Sequence, residues 1–128
     1  MSEWTRVELL DADGASFAIT AASKICFPAD FSQTHELLLG VVGGDGGIYR
    51  VDEDTSYRFD VDADIISLDL VGKSGNLQLL AGENAHGEVW YSVDDGDSWD
   101  SAQKAPSGSG PTYVVMSDDF ADSGKAYA

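Results

Sequence analysis

The sequence contains few basic residues. Lys and Arg together number 7 in 128 residues, whereas Asp and Glu number 23, and the formal net charge at pH 7 is −16. Because phosphate contacts require Lys and Arg, we expect no nucleic-acid partner. Turn chemistry and solubility explain the excess of Asp; a saline habitat and divalent-cation binding are the alternatives. We therefore expect no cofactor, with a divalent cation kept as the alternative.

Cysteine and long apolar runs are also scarce. Cys26 is the only cysteine, so the chain forms no internal disulfide. No apolar run approaches the ~20 residues that span a bilayer, and we therefore expect no membrane insertion. The first residues, Met1 to Trp4, lack a basic segment followed by an apolar one. No signal peptide is predicted, although an internal fragment would look the same.

Short runs of apolar residues fill the chain, and none is long enough to indicate a helix. Residues 65–71, Ile-Ile-Ser-Leu-Asp-Leu-Val, are typical of a strand, and turns rich in Gly and Asp separate such runs. We therefore predict an all-β fold. The predicted strands are residues 17–22, 36–42, 48–51, 57–61, 65–71, 77–82, 88–92, 99–103 and 112–116, with another starting at 125.

A turn motif at residues 92–99, Ser-Val-Asp-Asp-Gly-Asp-Ser-Trp, separates two of these strands. Asp94 can accept hydrogen bonds from amides of the turn, and Gly96 can adopt a positive φ without steric cost. Trp99 then offers a large apolar surface for packing. Together with Ser92 and Ser98, these residues predict a hairpin with a locked turn.

A degenerate copy of the motif lies 42 positions earlier, at residues 50–57. It keeps Asp52, Ser56 and Tyr57 at the positions of the aspartate, the second serine and the tryptophan. Arg50 replaces the first serine and Asp54 replaces the glycine. A period near 42 residues that contains only short strands and turns is the length of one four-stranded propeller blade.

The two motifs resemble the Asp-box, or BNR repeat, of sialidase-like and sortilin-like β-propellers. The resemblance implies blades of four antiparallel strands, with about two complete blades and parts of two flanking ones. Within one propeller segment, residues 1–15 would be the outer strand of a preceding blade, 16–63 and 64–110 two blades, and 111–128 the start of the next. The family implies a structural role for the box residues and an extracellular or cell-envelope setting.

The strand order sorts the loops onto two faces. Loops from the second to the third strand of a blade share one face with the connections between blades. In propellers generally this face and the mouth of the channel bind ligands. The predicted ligand-binding residues are therefore those of these loops: Asp45, Asp62, Asp64, Glu83, Asn84 and His86.

We predict no catalytic residue and no metal site. A sialidase-like enzyme would hold its substrate carboxylate with a cluster of arginines. The chain has only Arg6, Arg50 and Arg58, which the strand order keeps away from the channel. A zinc site would need His35 and His86 together, but they fall in loops on opposite faces.

Three hypotheses on function follow. The first is a non-catalytic propeller segment that acts as a scaffold or binds a protein or glycan ligand. The second is a fragment of a sialidase-like glycoside hydrolase whose catalytic residues lie outside this chain. The third is a repeat protein that closes a propeller by self-assembly. Because an open arc of blades leaves sheet faces unburied, we expect a homo-oligomer or part of a longer chain, not a compact monomer.

Overall fold

The computed structural model describes residues 21–53, 55–104 and 106–128. Within these ranges the chain forms ten β-strands and two helices of a single turn. All strand pairs are antiparallel, and they form two sheets of four strands and one of two. The predicted all-β fold is therefore confirmed.

The first sheet contains four strands in chain order, and a helical turn joins its first two strands. Its strands are β1 (Ala21–Cys26), β2 (Glu36–Val42), β3 (Gly47–Asp52) and β4 (Thr55–Arg58). The helical turn is α1 (Phe31–Thr34). Leu39 of β2 pairs with Ile25 of β1 on one side and with Tyr49 of β3 on the other.

The second sheet repeats this order, and the third contains only two strands. The second sheet consists of β5 (Ile65–Val71), β6 (Gln78–Glu83), β7 (Val89–Ser92) and β8 (Asp100–Ser101). The third sheet consists of β9 (Val115–Met116) and β10 (Ala126–Tyr127), which are joined by the helical turn α2 (Phe120–Ser123). Strand β5 contacts β1 and β2 of the first sheet and β9 of the third.

Predicted and observed strands agree best for β2 and β5. The predictions for residues 36–42 and 65–71 match β2 and β5. β1 extends to Cys26 instead of ending at 22, and residues 1–20, with their predicted strands, lie outside the described ranges. The four-residue helices α1 and α2 were not predicted, because a single turn is too short to show a helical period.

The predicted fourth strands are too long. β4 ends at Arg58 instead of 61: the Phe59 N–H still donates to the Ile48 carbonyl of β3 at 2.9 Å, but the Val61 N–H donates to the Phe59 carbonyl in a turn. β8 contains only two of the residues 99–103. β9 contains only two of the residues 112–116, since the Thr112 N–H donates across to the Glu83 carbonyl of the second sheet at 2.9 Å.

The core lies between the sheets because their strands present apolar side chains on both faces. Leu38 of β2 faces the second sheet, whereas Leu39 and Val41 lie in a separate cluster on the opposite face. The main cluster joins the first two sheets: Cys26, Leu38, Ile48, Phe59, Val61, Ile65, Leu68, Leu77, Leu79 and Ala81. Burying one such aliphatic side chain stabilises the fold by about 1.5–3 kcal/mol.

Polar side chains of β5 attach the third sheet to the second. Ser67 Oγ accepts a hydrogen bond from the Val114 N–H at 3.0 Å and donates to the Val114 carbonyl at 3.3 Å. Asp69 Oδ2 accepts from the Met116 N–H at 2.7 Å. Gly82 permits this approach, because a Cβ there would lie 1.9 Å from the Thr112 carbonyl oxygen.

Neither helix in the described part of the chain is long and apolar enough to cross a membrane.

Candidate functional site

The turn between β7 and β8 is held by the two serines and the first aspartate of the motif. Ser92 Oγ donates to Asp94 Oδ1 at 2.8 Å and accepts from the Gly96 N–H at 2.9 Å. Asp94 Oδ1 accepts from the Ser98 N–H at 3.0 Å, and Asp94 Oδ2 accepts from the Ser98 hydroxyl at 2.6 Å. The hydroxyl groups of Ser98 and Ser92 stabilise the ionised carboxyl and hold the pKa of Asp94 below its usual 3.8.

The same turn packs against the first sheet. Gly96 has a φ of 91°, and a Cβ there would lie 2.3 Å from the Phe59 ring. The half-buried Trp99 lies beside Phe59, with ring centroids 5.9 Å apart, and its Nε1–H donates to the Gly96 carbonyl at 3.0 Å. The residues of this motif therefore close the turn and fit it to its neighbour, and none of them lines a cavity described below.

Asp95 joins its own turn to the β5–β6 loop and to the first sheet, although the motif leaves this position free. Its Oδ1 accepts from the N–H groups of Gly75 and Leu77, each at 3.0 Å. Its Oδ2 and its carbonyl oxygen accept from Arg50 Nη2 at 2.7 and 2.6 Å. Arg50 also lies over the Phe59 ring, 5.1 Å from the centroid. Sequence analysis missed this role because the partners are 18 to 45 residues away; the one hint was a rare cation at the serine position of the degenerate copy.

The degenerate copy forms the turn between β3 and β4. Asp52 is exposed at the end of β3, and its carbonyl accepts from the Thr55 hydroxyl at 3.1 Å. Ser56 pairs with Val51 across the ladder. Tyr57 is 62% exposed, in contrast to the half-buried Trp99 at the matching position. Asp54 lies outside the described residues.

Five of the six residues predicted to bind a ligand line one open cleft, which we call the acidic cleft. The cleft has a volume of about 440 Å³ and lies where the chain passes from the first sheet to the second. Its lining residues come from the β2–β3 loop, the connection after β4 and the β6–β7 loop: Gly43, Gly44, Asp45, Gly46, Arg58, Asp62, Ala63, Asp64, Glu83, Ala85 and His86.

The sixth predicted residue, Asn84, does not line the cleft. Its backbone N–H donates to the Asp64 carbonyl at 2.8 Å, which joins two of the three segments that form the wall. Asp64 Oδ1 in turn accepts from the Gly43 N–H at 3.1 Å. A Cβ on Gly46 would lie 1.9 Å from this same oxygen, so glycine is needed there for Asp64 to reach the loop.

Among the lining residues that the structure describes, Arg58 is the one permanently charged cation of the acidic cleft. Its Nη2 donates to the Gly46 carbonyl at 2.8 Å and to the Val61 carbonyl at 3.4 Å, and it lies 3.8 Å from Asp62 Oδ1. The guanidinium therefore fixes the shape of the wall. The Asp62 side chain is fully exposed, so this ion pair contributes little to stability.

Glu83 and His86 form a close pair at the cleft. The Glu83 side chain is only 9% exposed, whereas the His86 side chain is 73% exposed. His86 Nδ1–H donates to Glu83 Oε1 at 2.6 Å. This hydrogen bond and the negative charge of Glu83 raise the pKa of His86 above 6.5, and Glu88 adds to the effect.

Two further observations concern the surroundings of the cleft. A second cleft of about 430 Å³ lies on the other side of the β6–β7 loop, lined by Gly87, residues 106–113 and Ala128. In the ranges described by the structure, no group of three or more His, Cys, Asp and Glu side chains has an arrangement suited to a metal ion. His35 and His86, predicted on opposite faces, lie beside different carboxylates: His35 Nδ1 is 3.9 Å from Glu53 Oε1, and His86 pairs with Glu83.

Comparison with known protein families, with curated proteins and with solved structures yields no match to this chain.

Proposed function

We propose that this chain is a non-catalytic segment of an Asp-box β-propeller that binds a protein or glycan ligand at the acidic cleft. The observation that carries the proposal is the convergence of Asp45, Asp62, Asp64, Glu83 and His86 on one cavity. These side chains come from three separate segments of the chain. Concave sites with a few convergent polar groups are the usual places for ligand binding.

The packing of the sheets supports the propeller arrangement. The two complete sheets are four-stranded antiparallel meanders, and consecutive sheets pack face to face through apolar clusters. The first strands of the three sheets are neighbours, since β5 contacts both β1 and β9. Radially packed blades with their first strands innermost would produce these contacts. The family resemblance also leads us to propose an extracellular or cell-envelope setting.

The chemistry of the cleft supports binding without catalysis. A sialidase-like site would bind its substrate carboxylate with several arginines, whereas the cleft contains Arg58 alone. That guanidinium already donates to two carbonyl groups of the wall. A fragment of a glycosidase remains the alternative, and its test is the presence of channel-facing arginines in any polypeptide that flanks this chain.

A ligand screen with a matched pair of variants tests the proposal. The wild-type chain is screened on a glycan array and against a peptide-display library. Every ligand found is then titrated against Asp45→Asn/Asp62→Asn and against the control Asp97→Asn/Asp100→Asn, which makes the same charge change at the Asp-box end. We expect binding to weaken at least about tenfold in the first variant only. Equal affinities in the two variants would remove the cleft from the proposal.

A second candidate function is self-assembly into a closed ring, which exposed apolar residues in and just before the third sheet favour. Tyr113 is 67% exposed, Val115 53% and Tyr127 63%. Light scattering across a range of concentrations tests this candidate. A mass that corresponds to a discrete oligomer supports it, and a monodisperse monomer with a cooperative melt contradicts it.

A further inference from the structure

Resting on the proposed function, we propose that the acidic cleft accepts a cationic group of its ligand, an ammonium or a guanidinium, which competes with His86 for the carboxylate of Glu83. Three features of the cleft favour this ligand class: the burial of Glu83, the charges that line the cleft and the room within it.

Glu83 is a buried carboxylate without a permanent counter-charge. Its side chain is more than nine-tenths buried, and His86 is its one side-chain hydrogen-bond partner in the described part of the chain. A buried carboxylate is costly unless a cation or several donors compensate it. A neutral imidazole supplies one hydrogen bond and no charge. A ligand cation would therefore gain more at Glu83 than at an exposed carboxylate.

His86 is placed so that it can be displaced. Its ring is 73% exposed and lies on the β6–β7 loop, so little of it is held by the protein. Gly44 also lines the cleft, and a Cβ on it would meet no atom within 4 Å. The cleft, with a volume of about 440 Å³, can therefore hold the terminal ammonium of an extended side chain.

The remaining charges of the cleft favour the same class of ligand. Asp45, Asp62 and Asp64 line it together with Glu83, and Arg58 is the only fixed cation that lines it within residues 21–53, 55–104 and 106–128. The neighbouring cleft provides an internal contrast. Residues 106–113, Gly87 and Ala128 line it and include no Asp or Glu side chain. Selectivity for cations should therefore belong to the acidic cleft and not to the whole face.

Competition with His86 makes binding depend on pH. The charged groups around the imidazole are Glu83, Glu88 and the other residues of the cleft, Asp45, Asp62, Asp64 and Arg58. Once protonated, His86 supplies the missing charge to Glu83 and the ligand must displace an ion pair. Affinity for the cation should therefore fall by up to about tenfold per pH unit between the raised pKa of His86 and 6.5, and should level off below 6.5, where the displaced imidazole is protonated as well.

Trilysine is the probe, and its Nε-acetylated form is the neutral control. Binding is followed by the NMR shifts of the His86 ring and of the Gly44 and Ala85 amides, at about 0.15 M salt so that distant carboxylates are screened. Glu83→Gln removes the charge under test. Asp97→Asn removes one exposed charge from the Asp-box turn and is the matched control. His86→Gln removes the competitor.

We expect trilysine to shift the cleft resonances, and its acetylated form not to shift them. Affinity should fall about tenfold in Glu83→Gln and stay unchanged in Asp97→Asn, because only the first loses the buried charge. If Glu83→Gln does not fold, the exposed His86→Gln variant decides, since its affinity must lose the pH dependence between about pH 6 and 8.

Three results separate this inference from the proposed function. Shifts spread over the whole surface, or equal in Glu83→Gln and wild type, overturn the cationic ligand. A neutral glycan or peptide that binds the cleft independently of Glu83 also overturns it and leaves the proposed function standing. A ligand screen in which nothing binds at the cleft, trilysine included, overturns both.

Discussion

The contact between Arg50 and Asp95 gives the most quantitative test of how the two sheets are joined. The ion pair measures 2.7 Å from Nη2 to Oδ2, and the two side chains are 23% and 15% exposed. At an effective dielectric constant of 20 the Coulomb attraction over this distance is about 6 kcal/mol. Desolvation of two largely buried ions offsets most of it. We expect a net coupling of about 1–2 kcal/mol, above the 0.2–1 kcal/mol of an exposed pair.

Two substitutions at this position separate charge from hydrogen bonding. Asp95→Asn keeps an oxygen for the N–H groups of Gly75 and Leu77, and asparagine tolerates the φ of 64°. This substitution should therefore lower the free energy of unfolding only by the coupling energy of the ion pair. Asp95→Ala also loses both hydrogen bonds and is strained at this φ, and it should destabilise the fold by about 3–5 kcal/mol. Arg50→Met keeps the aliphatic contact with Phe59.

The assay is urea unfolding followed by tryptophan fluorescence, because the half-buried Trp99 lies in the affected turn. All variants are compared at one protein concentration, since association would shift the midpoint. A double-mutant cycle with Arg50→Met and Asp95→Asn then isolates the coupling. A coupling below about 0.5 kcal/mol, or an Asp95→Ala variant as stable as Asp95→Asn, would refute the reasoning.

Three further predictions concern the sheet contacts and pH. Gly82→Ala should destabilise the chain by about 1–3 kcal/mol in urea unfolding, because the new Cβ meets the Thr112 carbonyl. The control Gly110→Ala places its Cβ in open space and should change stability by less than about 0.5 kcal/mol. The stability that depends on ionised Asp94 is present above pH 3.8 and is lost as the pH falls through its lowered pKa, so Asp94→Asn should narrow the difference between Tm at pH 5 and at about pH 2. The pair formed by His86 stabilises the fold fully below pH 6.5 and ceases to do so as the pH rises through its raised pKa, so the Tm difference from His86→Gln should vanish at about pH 9. A Tm difference between wild type and variant that does not change with pH would contradict the prediction for Asp94→Asn or for His86→Gln.

The strands that the sequence predicts well are those with a clear apolar pattern. Residues of β2 and β5 are mostly apolar, because both faces of these strands are covered by neighbouring elements, and their bounds are correct. The fourth strands are poorly predicted. Phe59 and Val61 look like strand residues by pattern, yet β4 ends before them and their side chains fill the core between sheets, which only the packing reveals.

The acidic cleft was partly predictable for a topological reason. An antiparallel meander puts its β2–β3 loop at the same end as the connection to the next sheet, so Asp45, Asp62 and Asp64 could be grouped from sequence. The distance between Glu83 and His86 could not, since it depends on how the β6–β7 loop bends. The Arg50–Asp95 pair likewise needs the face-to-face packing of two sheets, which no local pattern encodes.

The attachment of the third sheet has a consequence for how such a chain can change over time. Ser67 and Asp69 hold the incoming strand by main-chain atoms of Val114 and Met116, while the side chains of these two residues are buried in the apolar cluster that joins the second and third sheets. The polar anchors therefore place no demand on the side chains of the incoming strand, and the cluster demands only that positions 114 and 116 be apolar. The exposed positions of that strand could change freely in sequence, provided that Gly82, the two anchors and the two apolar residues were retained.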